Sequence, residues 1–434
     1  MLGGSGRERN VCRRDCLSSW PVTLWKMSLC RWSKLYFNIP RLRWSTSRTT
    51  TLHSTASIHF SGNSSAIEKS CSTKTYEDVK DYYGKQLGNT KDLKTSACAA
   101  PSKPLPTHLK DALDNIHEDI SSRYYGCGLS VPESLENCIM LDLGSGSGRD
   151  CYMLSKLVGQ KGHVTGIDMT DEQLELSRQY IDFHTEKFGF QQPNVEFIKG
   201  YIEDLKAANI KDNRYDVIIS NCVINLSPDK KAVLREAYRV LKDGGEIYFS
   251  DMYINKALPA ELKENKLLWG EGIGGALTWK ELFHIAAEIG FCTPRLVTAR
   301  YITVNEELKN IVGDRKFVSA TFRLFKVPQD AVKVKSQAVY NGGITGYEDK
   351  LEFDANFTFK VGEAVEVDQE LGRILKRSRF ADKFSLQEAE KMPCSESSHP
   401  IKETIGDPFE FAEAESNGAQ SSCSGDNFEG GRCS

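Results

Sequence analysis

The run Leu-Asp-Leu-Gly-Ser-Gly-Ser-Gly-Arg-Asp, residues 141–150, sets Gly144, Gly146 and Gly148 between a short apolar stretch and a helical pattern. No other feature of the chain restricts its fold as much. Alternate glycines permit a tight turn, and their missing side chains let the backbone approach a ligand beside a helix N-terminus. The flanks agree with this reading. Apolar runs at 139–143, 163–167, 195–199, 215–220 and 246–250 alternate with helical periodicity at 150–158, 171–188 and 230–241. Such alternation predicts an α/β fold, a doubly wound parallel sheet covered by helices on both faces.

The glycine spacing narrows the ligand. Dinucleotides favour G-x-G-x-x-G, which seats a pyrophosphate on the helix N-terminus. Here the pattern is G-x-G-x-G, with Asp142 two residues before its first glycine. An acid there repels a pyrophosphate but suits a ligand carrying an ammonium and a sulfonium. Asp168 closes the second predicted strand, where a carboxylate can bind ribose hydroxyls. Ile202 and Glu203 follow the third, where an apolar side chain and a carboxylate can flank an adenine. The pattern, with Val-Leu-Lys-Asp-Gly-Gly at 240–245, resembles class I S-adenosylmethionine-dependent methyltransferases, so S-adenosylmethionine is the expected cofactor. A nucleotide-binding relative or a fold without a ligand is the alternative.

Length and charge set the organisation. A chain of 434 residues predicts two or three domains. Residues 1–67 carry ten Lys/Arg against Glu8 and Asp15, with many Ser and Thr, the composition of a mitochondrial transit peptide. A start at Met27 would give a cleaner presequence; a disordered N-terminal tail or spurious upstream sequence is the other reading. A helical region is expected over 68–134, the methyltransferase core over 135–253, a substrate-binding insertion over 254–330, and a small β-containing domain over 331–385, with Asn341-Gly342-Gly343 as a hairpin signal. Residues 386–434, acidic and rich in Ser and Gly, are expected to form a disordered tail. The middle of the chain is near neutral, which gives no electrostatic case for nucleic acid. No run approaches the ~20 apolar residues that cross a bilayer. Thirteen dispersed cysteines without a CxxC pair argue against a zinc ribbon and for mostly free thiols.

Two of those cysteines point to a substrate. Cys222 follows the fourth predicted strand, where ligands gather in such a fold. Cys127 stands between Gly126 and Gly128, just before the first strand. Two thiolates facing a methyl sulfonium imply a thiophilic substrate. Six segments then become recognisable: RYYGCGL (123–129), LDLGSGSGRDCY (141–152), GHVTGIDMT (162–170), SNCVINL (220–226), FVSATFRLFK (317–326) and YNGGITG (340–346). With them the chain closely resembles the animal arsenite methyltransferases over roughly 76–385. The resemblance implies trivalent arsenic held by Cys127 and Cys222, its lone pair attacking the methyl group. It implies cofactor contacts at Tyr125, Gly144, Gly146, Asp168, Met169, Ile202 and Glu203, and a redox role with a disulfide for Cys98. It implies glutathione or thioredoxin as reductant, no nucleic-acid or membrane partner, a monomer, and a cytoplasmic location, or a mitochondrial one where the leader is genuine.

Two positions depart from the family pattern. Gly272 stands where the family has a third arsenic-ligating cysteine, and Arg315 where it has the disulfide partner of Cys98. Three readings follow: methylation with two protein thiolates plus a small thiol, favouring a monomethylated arsenical; substitution by another cysteine, Cys292 being nearest in sequence; or a changed function, a methyltransferase for another small molecule or a thiol-based arsenic binder.

Overall fold

The computed structural model describes residues 74–86, 95–96, 105–126, 128–328, 336–388 and 405–422. The basic leader, Cys98, Cys127 and residues 389–404 lie outside that set. The first described helix, α1 (74–81), runs into a π-turn at Tyr82–Gln86. Helices α2 (Thr107–Asp114) and α3 (Glu118–Ser121) follow.

The strands and helices of the core then alternate: β1 (Ile139–Leu143), α4 (Arg149–Val158), β2 (His163–Asp168), α5 (Asp171–Gln179), α6 (Ile181–Lys187), β3 (Val195–Lys199), β4 (Tyr215–Asn221), α7 (Lys230–Val240) and β5 (Leu241–Ile254). After β5 come α8 (Ala260–Lys263), α9 (Lys266–Gly270), α10 (Trp279–Ile289), β6 (Arg295–Ile302), α11 (Glu306–Val312) and β7 (Phe317–Phe325). The seven strands form one sheet in the order β3-β2-β1-β4-β5-β7-β6. β1 to β5 are parallel, as expected, but β7 is antiparallel to both β5 and β6, so the sheet is mixed.

Period-two alternation explains the two faces. Leu141 and Leu143 of β1 and Ile218 of β4 pack with Val233 and Leu234 of α7 and Leu282 of α10. Met140, Val217 and Ile219 face the other way, towards Tyr152 and Leu154 of α4 and Leu109 of α2.

Four sequence expectations need correction. The region 254–330 is not a separate insertion: β6, β7 and α10 complete the main sheet and its cover, leaving mainly 255–278 outside it. The single helix expected over 171–188 is two, because the Tyr180 N–H closes back on Ser177 O and a new helix starts. Asn341-Gly342-Gly343 does not turn a hairpin. It leads away to β9 (Lys350–Glu352) and β10 (Thr358–Lys360), while β8 (Ser336–Tyr340) pairs with β11 (Ala364–Val367) and, beyond α12 (Gln369–Arg377), with β12 (Phe384–Glu388). Finally, the expected disordered tail contains α13 (Pro408–Ser422). It buries Ala412 and packs Phe409 and Phe411 on the main core, and Tyr301 of β6 donates to the Phe409 carbonyl. Two aromatics two residues apart were too short an apolar signal to stand out against acidic surroundings.

Buried charge joins the small sheet to the large one. Arg323 of β7, fully buried, donates twice to Glu246 of β5 at 2.9 and 3.0 Å, to Glu133 at 3.2 Å, and to the Phe353 carbonyl at 2.8 Å. Arg379, just after α12, donates to the Glu133 carbonyl and pairs with Glu246.

Candidate active site

The C-terminal ends of β1, β2 and β4 surround a pocket. Gly144, Gly146, Asp168, Met169, Ile202, Glu203 and Tyr125 all line it, as does Cys222. The residues expected to hold a cofactor thus share one pocket. Cys98 and Cys127 lie outside the described residues.

The glycine turn has little room for side chains. A Cβ on Gly144 (φ 72°) would lie 2.5 Å from Val223, and one on Gly148 (φ 90°) 2.7 Å from Phe197. Nothing stands within 4 Å of a Cβ on Gly146. Asp168 fixes the turn: its carboxylate accepts from the Gly146 N–H at 2.9 Å and the Thr170 N–H at 2.8 Å.

The pocket wall is acidic. Asp142 is buried and accepts from the Cys151 thiol at 3.2 Å. Burial first, then the Asp150 and Asp168 carboxylates, push its carboxyl up to about 8. A cation placed there would restore the charged form. Glu203 Oε2, Gln173 Oε1 and Ser145 Oγ are buried without a hydrogen-bond partner among the described residues. Orphaned acceptors and a hydroxyl beside an acidic, glycine-lined cradle fit a cationic ligand with ribose hydroxyls and an amine to share.

Cys222 sits where β4 ends, in the left-handed region at φ 59°, uncommon for a residue other than glycine. Its N–H donates to Ser250 O at 2.8 Å, and its side chain packs with Met252, Leu268 and Ile273. It is disulfide-bonded here. Asn221, directly before it, reaches Gly128 O at 2.8 Å and Asp150 at 3.1 Å. A Cβ on Gly126 would fall 2.7 Å from Asn221 Cγ. Both neighbours of Cys127 therefore meet Asn221.

Gly272 is also left-handed, at φ 73°, and a Cβ there would come 2.8 Å from Met252 Cε, in the cluster that Cys222 packs against. Cys292 is elsewhere, buried in the cluster that Phe325 and Val327 at the end of the main sheet form with Tyr340 of the small domain, its thiol pushed up to about 11 by burial. It does not line the pocket, so substitution by Cys292 loses its basis. Arg315 donates to Val312 O at 2.8 Å.

Sequence reasoning missed several wall residues. Asp150 and Asn221 lay inside recognised segments and could have been named. Tyr76, Val79 and Tyr83 of the N-terminal helical segment gave only helical periodicity, which does not say where a helix docks. Lys230 is outside the pocket lining; its ammonium, pushed down to about 8 chiefly by burial, donates to Ser227 O at 2.7 Å and lies over the Trp269 ring.

A mixed seven-stranded sheet with a glycine-turn pocket at its parallel strand ends defines a class I S-adenosylmethionine-dependent methyltransferase. Residues 134–290 match the family described as methyltransferase domain, and residues 333–433 the arsenite methyltransferase C-terminal domain. The chain is 57% identical to human arsenite methyltransferase over 361 residues, 82% of this chain and 96% of that protein. It is 49% identical to arsenite methyltransferase of Aquipseudomonas alcaligenes over 313 residues, 71% of this chain and 90% of that one. The crystal structure of an arsenic(III) S-adenosylmethionine methyltransferase from Chlamydomonas reinhardtii superposes with a TM-score of 0.63 at 38% identity, covering 67% of this chain and 98% of that one. The chain belongs to the arsenite methyltransferase family.

Proposed function

We propose that this enzyme methylates trivalent arsenic, as arsenite or methylarsonite, while cysteine thiolates hold the metalloid. The observation that carries the reading is Cys222, held left-handed on the wall of the methyl-donor pocket. Cys127 is the second ligand. What supports the pairing is that Gly126 and Gly128, on either side of it, both meet the residue before Cys222.

S-adenosylmethionine supplies a methyl group activated by its sulfonium. Asp142 faces the cationic part of the donor, Asp168 and Glu203 its hydroxyls and base, and Tyr125, Met169 and Ile202 give apolar walls. The glycines at 144 and 146 let the backbone close on it. The chain then has one task, to hold arsenic with its lone pair towards the methyl carbon. The nucleophile carries no proton, so no general base is needed, and alignment of this kind is worth on the order of 7–11 kcal/mol.

Gly272 supplies no sulfur. Two protein thiolates suffice for a monomethylated arsenical, and a small thiol completes the set for arsenite. Cys222 is disulfide-bonded, so binding requires its reduction: two equivalents of a thiol such as glutathione, or reduced thioredoxin, release two cysteine thiols and leave as disulfide. The role that fits is arsenic detoxification by a monomer in the cytoplasm, or in mitochondria where the basic leader directs import.

Arsenic speciation by mass spectrometry, with and without glutathione or thioredoxin, tests the reading. Methylated arsenicals should form only with a reductant, and Cys222→Ser should abolish them. Retained turnover in that variant would overturn the thiolate mechanism.

A further inference from the structure

The N-terminal helical segment touches two sites at once. Tyr76 and Val79 of α1, and Tyr83 of the π-turn, line the donor pocket. On its other side the Tyr82 hydroxyl donates to Glu271 Oε1 at 2.6 Å, and the Tyr83 hydroxyl donates to Gly270 O at 2.9 Å. Asp78 pairs with Lys266 of α9. A Cβ on Gly270 would lie 3.0 Å from the Tyr82 ring, so glycine is what lets the segments close this tightly. Gln173, also on the pocket wall, donates to Tyr83 O at 3.3 Å, and the Tyr83 ring meets Tyr125 edge-on at 5.7 Å.

Glu271 is only 4% exposed, and Tyr82 offers its carboxylate a hydrogen bond from a residue 189 positions away. A π-turn sets Tyr82 and Tyr83 so that both hydroxyls reach consecutive residues while the second ring stays on the donor wall. The chain they reach, 263–276, carries Gly272 and contributes Leu268 and Ile273 to the apolar cluster that Cys222 packs against.

We infer that Tyr82 and Tyr83 are positioning residues that carry occupancy of the donor pocket to segment 263–276. Donor binding seats the helical segment, and the two hydroxyls then hold residues 270–271 in place. Coupling of this kind is reciprocal, so a ligand ordering 263–276 tightens the donor in return. That this segment walls the arsenical rests on the proposed function; its coupling to the donor does not.

Hydrogen exchange of the full chain with and without S-adenosylhomocysteine tests the inference without arsenic. In the unaltered protein, peptides over 141–150 and over 263–276 should both slow several-fold. In Tyr82→Phe/Tyr83→Phe, protection over 141–150 should remain while protection over 263–276 falls to the ligand-free level. If that variant no longer binds the ligand, Glu271→Ala removes the Tyr82 bond from outside the donor pocket, leaves the Tyr83 bond to Gly270 O, and should give a smaller but still selective loss over 263–276. Equal protection of 263–276 with and without the hydroxyls, or none in the unaltered protein, overturns it. Coupling that survives while the speciation assay fails removes the arsenical reading alone. With an arsenical as ligand, the factor by which the donor tightens the arsenical and the factor by which the arsenical tightens the donor should both fall in the variants, and by the same amount.

Discussion

At the scale of single residues the site is governed by charge and by backbone. Asp142 is held towards its neutral form up to about pH 8 by burial and two neighbouring carboxylates. A cationic donor is bound best by the ionised form, so binding releases a proton below that pH. The affinity for S-adenosylmethionine should therefore tighten as pH rises from 6 to 8, by up to about tenfold per unit, and level off above. Calorimetry in buffers of different ionisation enthalpy reads the proton directly, and Asp142→Asn should flatten the profile. Gly272 sets a second expectation. Gly272→Cys returns a sulfur near Cys222 and should raise turnover of inorganic arsenite, measured against turnover of a monomethylated arsenical. The left-handed backbone and the nearby Met252 methyl would cost on the order of 1–3 kcal/mol in stability. No gain on arsenite would mean the missing ligand does not limit the reaction.

Among the elements, those carrying their own periodicity were legible and those defined by docking were not. β1 to β4 and α7 lie close to where alternation and helical spacing put them: β1, β2 and β4, inside the sheet, are mainly buried runs, and β3 at its edge sets Glu196 between Val195 and Phe197. The glycine turn, Asp168 and Glu203 were legible for the same reason: each occupies a fixed offset from a strand end. β5 was foreseen at less than half its length, since its C-terminal half is a strand only through pairing with β7. The helical segment over the pocket was recognised as a helix but not as a wall. α13 was missed, and its worth can be measured. Phe409→Ser with Phe411→Ser should destabilise the protein by ~1–2 kcal/mol in urea unfolding, as expected for half-buried aromatics. An unchanged midpoint would mean the helix contributes no packing energy.

Over the whole molecule, the two sheets are joined by buried ions. Arg323 and Arg379 hold Glu246 below the usual carboxylate range despite its burial, while burial raises Glu133. For Glu246 the folded pKa is depressed, so its contribution is present at neutral pH and lost as pH falls below that range. Glu133 acts in the opposite sense and offsets part of the loss. Replacing Arg323 with Met strands Glu133 and leaves Glu246 with Arg379 alone, and should cost ~3–5 kcal/mol. Thermal unfolding should then show the small domain loosening, since the Phe353 carbonyl loses its donor too.

The insertion of β7 between β5 and β6 sets an order on biosynthesis. Residues 241–250 have one strand partner, β4, and residues 251–254 none, until the chain has emerged past residue 325. A nascent polypeptide stalled near residue 290 would present a fourteen-residue strand with an unpaired flank. The donor-binding half is encoded first but completed late, so the ribosome delivers a protein whose closing stitch lies some seventy residues downstream of the strand it secures.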